Sequence, residues 1–521
     1  MANVCPVRGD RDIVAGQIPT AVGGGDAVGS TSDMTVNQGE IRRDVLRIAW
    51  PSILENLLQS VLGVITIFMV SQLGSAEVAA VGASQQLQML FISAFFALSM
   101  GATVIVAHAY GARQHDSIGV AAKQATLATI VLSSIIAIIV FVFAEPMLRW
   151  MGADSDVIAQ GTRFQQISAI GYIFMALMFV LGGAMRGVGD TRTPMLVTLG
   201  INVINVAVAW PLIFGTLGMP ELGLDGAAIA QNVSRFVGFV ILAWILFRGK
   251  NGVSIAGREG WRPDVSFLRR LADISIPAMG ESLLRGGGQI LFVVVVFMLG
   301  TAVAAGHNIA QQAVFLSMFP GFGFSMAATA LVGQSLGAGN AARAKAATLT
   351  ATRACIVWMS AMGVFFFVFA VPIMEFSAPD GADRQQIIDA GVAALRVIAF
   401  AQPFQAIGFV LAGALRGGGD TRFPMFSTGI AMWVFRLPLA YVFAITFDLG
   451  LAGVYLAMAA DNAILMVLNI WRYRQGKWTT SRLATRHDIE ETTVPPPAVE
   501  AGVPPGTLTP KPETDAITAN G

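Results

Sequence analysis

Two carboxylates each stand four residues behind a proline inside an apolar run: Pro51 and Glu55 in IAWPSILENLLQ, Pro277 and Glu281 in ISIPAMGESLLR. If the first run enters a bilayer near Asp44, Glu55 lies eleven residues in, about 16 Å at 1.5 Å per residue. That is near the middle of a roughly 30 Å hydrocarbon layer. A carboxyl group at such depth is costly, turns toward protein or a water-filled cavity, and is functional by default. Shielded from bulk water, it is expected to exchange a proton near neutrality or to hold a cation. Glu281 has Arg285 one turn on as a neutralising partner. Glu55 has Gln59 at that spacing and so lacks a local counter-charge. Asp461 is a third ion-coupling candidate, with Arg436 as the charge that would pair with it.

Softer chemistry surrounds these acids. Gln85 and Gln86 have twins in Gln311 and Gln312; Phe96, Ser99 and Met100 have twins in Phe322, Ser325 and Met326. Facing one another across a cleft, Phe and Met side chains would form an adaptable, cation-tolerant wall. With Gln59 and Arg285, the glutamines, Phe96, Met100, Phe322 and Met326 are the substrate-cleft candidates. Asn202, Asn205, Gln231, Asn232, Arg235 and Asn308 read mainly as interhelical hydrogen-bonding groups.

The repeat extends further. LGGAMRGVGDTRTPM around Arg186 is matched by LAGALRGGGDTRFPM around Arg416. The glycines resemble a phosphate loop only superficially, since no Lys-Ser/Thr ending follows and no strand precedes. A tight helix–helix turn fits better. Gly ends one helix, Asp190 or Asp420 caps the next, and Pro194 falls in its first turn. Arg186 and Arg192 are then expected at the membrane interface, where they could also pair with other loops or lipid phosphate. His108 is replaced by Gln334 in the twin and reads as a solvated or capping residue. Glu55 and Glu281 are 226 residues apart, Arg186 and Arg416 230, so one short connection differs by four residues.

The elements that position these groups are membrane helices. The chain has 521 residues, 55% of them hydrophobic and only 12% charged, against about 25% charged in soluble domains. Runs such as 130–144 show no strict alternation, which excludes barrel strands. Twelve spans are expected at 44–71, 78–109, 119–144, 160–185, 191–215, 222–247, 267–299, 304–336, 346–371, 386–414, 421–446 and 450–474. The fold class is therefore an all-α polytopic membrane protein, with twelve transmembrane helices in two pseudo-symmetric six-helix bundles. Residues 1–40 and 477–521 read as disordered cytoplasmic tails, 41–247 and 267–476 as the two lobes, and 248–266 as a cytoplasmic inter-lobe loop. Basic loops alternate with acidic or sparse ones, placing both termini in the cytoplasm. Six spans per half make the repeats parallel. The net charge of +1 implies no nucleic-acid partner, and Cys5 and Cys355 form neither a disulfide framework nor a metal site. No signal peptide is read at the start of the chain, so the first span serves for targeting.

On these residues, together with Leu73-Gly74 and its twin Leu299-Gly300, the chain resembles the multidrug and toxic compound extrusion (MATE) transporters over about 41–476. The resemblance implies a V-shaped pair of bundles that exports small organic or amphiphilic, often cationic, compounds against inward H⁺ or Na⁺. It implies no other cofactor, a lipid-embedded chain in the cell (inner) membrane, and function as a monomer. Three positions depart from the family pattern. Thr66 stands where many members carry a first-helix Asp. Arg285 stands where some carry a seventh-helix Glu. Residues 401–415 hold Gln402 and Gln405 but no acid. The alternative is a related lipid-linked oligosaccharide or lipid flippase, which needs a wide basic cavity; mid-span arginine is confined to a few places such as Arg235, Arg285 and Arg436. No His-Glu-x-x-His or Gly-x-Ser-x-Gly motif points to an enzyme.

Overall fold

The computed structural model describes residues 37–152, 154–216, 218–249, 252–258 and 260–480. Among them are twelve helices long and apolar enough to cross a membrane. They are α1 Gln38–Ser71, α2 Ser75–Gly111, α3 His115–Trp150, α4 Ser155–Gly187, α5 Arg192–Phe214 and α6 Gly223–Phe247. The second set is α7 Val265–Phe297, α8 Thr301–Gly337, α9 Ala341–Ser377, α10 Arg384–Gly417, α11 Arg422–Thr446 and α12 Gly450–Arg474. Several run to 33–37 residues, or about 50–55 Å, and so project well beyond a hydrocarbon layer of roughly 30 Å. This is why α1 begins at Gln38 rather than near Asp44. α11 widens into π-helical turns at Ile430–Arg436 and Val442–Thr446.

Each lobe is built around one tight helix pair, α2 with α4 and α8 with α10, and the bonds repeat. Ser99 donates to the Phe179 carbonyl at 2.6 Å and Thr103 to that of Gly183 at 2.9 Å. Ser325 donates to Phe409 at 2.8 Å and Thr329 to Gly413 at 2.9 Å. The turns that follow α4 and α10 are formed as expected. Gly189 and Gly419 take φ of 88° and 83°, the left-handed backbone that glycine adopts without strain. The amides of Asp190 and Asp420 then reach back to Met185 and Leu415, each at 2.9 Å. Asp190 accepts from the Thr193 amide at 3.0 Å, and Asp420 from that of Phe423 at 3.3 Å.

Two expected boundaries move, at the two ends of the described chain, and the expected 248–266 loop packs against α3. Gln38–Glu40 are helical rather than tail. The 248–266 segment is ordered where described. Gln124 of α3 donates to the Gly260 carbonyl at 2.8 Å, Lys123 to that of Ala256 at 2.7 Å, and Val253 is fully buried. Asp264 caps α7; the hydrogen bond to the Ser266 side chain, then those from the Ser266 and Phe267 amides, hold its carboxyl below the usual carboxylate range. Lys477–Thr479 form a 3₁₀ turn, and Trp478 is buried against Tyr473, ring centroids 4.8 Å apart. The rest of the expected tails, 1–36 and 481–521, lies outside the described residues. Trp478→Ala is expected to cost about 3 kcal/mol, at the low end for a buried aromatic near a chain end; a thermal melt in detergent checks it.

The four-residue slip between the halves arises after Pro372, the twin of Pro146. There the α9–α10 connection, 378–383, is two residues longer than the α3–α4 connection, 151–154, and α9 and α10 are each one residue longer than α3 and α4. Both lie at the end of the bundle away from the basic turns.

Candidate functional site

Helix side chains lean toward their own N-terminus. Arg186, at the C-terminal end of α4, therefore points back into the lobe rather than out to lipid. Its guanidinium reaches the carbonyl of Phe179, two turns earlier, at 3.3 Å, and lies 3.2 Å from both oxygens of Glu55. The side chain is only 6% exposed. Arg416 does the same in the second lobe: its Nη2 is 2.7 Å and its Nε 3.2 Å from the two oxygens of Glu281. Arg285 adds a contact at 3.3 Å and the Thr428 hydroxyl one at 3.5 Å. Arg186 is thus not the interfacial residue expected from sequence, Glu55 is not the uncompensated acid, and Glu281 gains Arg416 beside the expected Arg285. The repeated Arg-Gly turn exists in part to carry a counter-charge to the opening helix of its own lobe, joining α1 to α4 and α7 to α10.

Asp461 is likewise paired, with Arg436 at 3.7 Å; the Arg436 guanidinium also lies 4.0 Å from the Phe292 ring centroid. It sits where α11 widens into its first π turn. Nearby, the Tyr455 hydroxyl and His307 Nδ1 are 3.2 Å apart.

A cavity of about 350 Å³ opens inside the first lobe. Glu55, Arg186, Gln59 and Gln85 line it, along with Gln88, Asn202, Gln231 and Arg235. Gln86 is not on its wall, because neighbours on a helix point about 100° apart; Gln86 is exposed, as is Gln312, while Gln311 is half-buried. Phe96, Met100 and Met326 meet in a narrow crevice between the lobes that also touches Arg186. Phe322 leaves that wall and stacks on Phe409 at 5.1 Å. The interhelical bonds expected of the asparagines are present, Asn202 to the Leu58 carbonyl at 2.7 Å and Asn205 to Ser234 at 3.2 Å. What sequence reading missed is that these groups share one chamber with Gln88, Met175 and Met178; their mid-span polarity was the available signal.

The lobes touch through reciprocal contacts near the basic turns. His108 of α2 is 2.9 Å from the Gly417 carbonyl of the second lobe, and Gln334 of α8 donates to the Gly187 carbonyl of the first at 2.8 Å. His108 is therefore a buried cross-lobe contact rather than a solvated cap. Gly111 and Gly337 make this approach possible, because a Cβ on either would press into the carbonyl of Gln334 or His108. Asp44 and Arg343 close the same seam at 2.9 Å.

Two like bundles of apolar helices, joined at one end, with a polar chamber inside the first of them, define a polytopic membrane transporter. The MatE family profile matches residues 51–210 and 277–442, one segment in each lobe. The probable multidrug resistance protein NorM of Thermotoga maritima is 30% identical over 453 residues, covering 87% of this chain and 96% of its own. The multidrug resistance protein MdtK of Yersinia pseudotuberculosis is 26% identical over 452 residues, covering 83% and 96%. A solved outward-facing multidrug resistance MATE transporter of the MOP superfamily shares the fold, with a TM-score of 0.75 at 22% identity over 84% of this chain and 96% of that one. The chain belongs to the MATE family, whose members are transporters and not enzymes.

Proposed function

We propose that the protein is a secondary active exporter of small amphiphilic organic compounds, driven by inward movement of H⁺ or Na⁺. It acts as a monomer in the cell (inner) membrane with both termini cytoplasmic. The observation that carries this reading is the first-lobe cavity with the Glu55–Arg186 pair on its wall. A solute chamber and a displaceable carboxylate there share one volume. The relatives named as multidrug resistance proteins support the export direction.

The reciprocal contacts of His108, Gln334 and Asp44 keep the basic side shut. Alternating access requires them to part while the far side closes. A cation bound at Glu55 competes with Arg186 for the carboxylate and frees α1 from α4. It drives the cycle only through unequal affinity for the two states. Asp461 and Glu281 are the second-lobe candidates for the same task.

The test uses purified full-length protein in liposomes, with a fluorescent organic cation, a fluorescent organic anion, and proton and sodium gradients imposed separately. Gradient-dependent movement of one dye is expected. Glu55→Gln should abolish it in protein that remains folded; because the change strands the buried Arg186 with only the neutral acceptors Ser99 and Phe179, a lowered melting temperature is expected as well, and rates are compared on the folded fraction. Wild-type rates in Glu55→Gln would remove that residue from coupling. No movement of either dye under either gradient would sink the reading as a whole.

A further inference from the structure

The ionised side chains on the wall of the first-lobe cavity are Glu55, Arg186 and Arg235. Glu55 and Arg186 neutralise each other at 3.2 Å. Arg235 of α6 is left over, so the chamber carries one net positive charge. Its Nη1 is buried and has no hydrogen-bond partner. Of its neighbours, the Tyr172 hydroxyl accepts from Gln165 at 3.0 Å, while Asn232 donates to the Ile167 carbonyl at 2.6 Å and its buried Oδ1, like Arg235 Nη1, is left without a hydrogen-bond partner. Thr66, also on the wall, donates to its own helix at Leu62, 2.9 Å away.

The duplicated lobe supplies an internal comparison. Aligning Leu224-Asp225-Gly226 with Leu451-Ala452-Gly453 sets Ser234-Arg235 against Asp461-Asn462. The second lobe's buried arginine, Arg436, comes from α11 and meets Asp461 at 3.7 Å. In the first lobe the acid's place is held by Ser234, and Val206 stands at the place of Arg436 by the 230-residue shift of the turns. One lobe therefore pairs its mid-span arginine with a carboxylate, and the other leaves it facing a cavity of about 350 Å³. That volume falls in the range of small-molecule sites, roughly 300–1,000 Å³. An uncompensated charge within the membrane is costly and marks a substrate path.

We propose that the first-lobe cavity takes an organic anion, a compound with one carboxylate and an apolar body, held by Arg235. The proposal rests on reading this cavity as the solute chamber. It reverses the charge implied by the cationic substrates of the resemblance. The guanidinium presents a planar fork that matches a carboxylate with two parallel hydrogen bonds. Gln85, Gln88 and Gln231 supply further donors, and Met89, Met175 and Met178 an adaptable apolar wall.

The test is equilibrium binding to full-length protein in phosphatidylcholine nanodiscs, with no gradient. The probes are 1-naphthoate and 1-naphthylmethylammonium, which share a body and differ in charge. Wild type should prefer naphthoate by about tenfold or more, the scale of one charged hydrogen-bonded contact. Arg235→Gln should bring the two probes within about twofold of each other, and so should Ser234→Asp, which installs the acid that the second lobe has. Retention of the preference in folded Arg235→Gln or Ser234→Asp would overturn the proposal. So would equal or stronger binding of the ammonium probe by wild type, or binding of neither. Loss of naphthoate binding on adding phosphatidylglycerol would assign the site to a lipid phosphate and overturn the solute reading. Because no gradient is used, a failed charge preference leaves gradient-driven export standing. Anion binding without gradient-driven movement would sink export alone.

Discussion

Glu281→Gln is expected to destabilise the second lobe by about 3–5 kcal/mol, because removing one partner of a buried pair strands the other. Glu281 is the only acid touching Arg416 among the described residues, and it also receives Arg285 and Thr428. Its side chain is 7% exposed and that of Arg416 16% exposed, so water cannot take over either role. Arg285, at 46% exposed, can turn to solvent. The double change Glu281→Gln with Arg416→Met should therefore recover much of the loss, as replacing a whole buried pair is often close to neutral. Thermal melts of both variants check this. A single mutant melting within about 2 °C of wild type would mean that the pair does not hold α7 to α10.

Gly337→Val is expected to keep each lobe folded while preventing closure of the basic side. The added atoms would meet the His108 backbone carbonyl, which no rotamer change can move aside. Transport should fall by about tenfold or more, since roughly 1.4 kcal/mol of bias against one state is enough for that. A direct readout is crosslinking by a short bismaleimide between Asp44→Cys and Arg343→Cys, in a Cys5→Ser background. The native side chains are 2.9 Å apart, so the crosslink should form in the parent and fade with Gly337→Val. An undiminished crosslink would show that the seam tolerates the side chain.

The fold was legible because length and repetition report it directly. Apolar runs long enough to span, and two copies of the Arg-Gly-x-Gly-Asp-Thr turn, required two like helical lobes. The partners of Arg186 and Arg416 were not legible. A helix-end arginine can face water, lipid or its own bundle, and only the packing of α1 on α5 and of α7 on α11, which brings each glutamate within reach, decides. Adjacent Gln85 and Gln86 looked equivalent by composition, yet the helical turn sends one to the cavity and the other away. Trp478 was assigned to a tail on its polar surroundings, whereas it fits beneath the second turn, against Gly418 and Tyr473. Arg235 was visible as a mid-span charge, but its want of an acid became apparent only beside the paired Arg436.

The unequal connections of the two halves have an engineering consequence. Residues 378–383 already differ in length from their counterpart, carry the exposed Asp380, and lie far from the paired glutamates and from the seam. Grafted epitopes or fluorophores belong there: a surface hairpin that has drifted in size once can accept cargo again, whereas the turns at Gly189 and Gly419 have no slack to give.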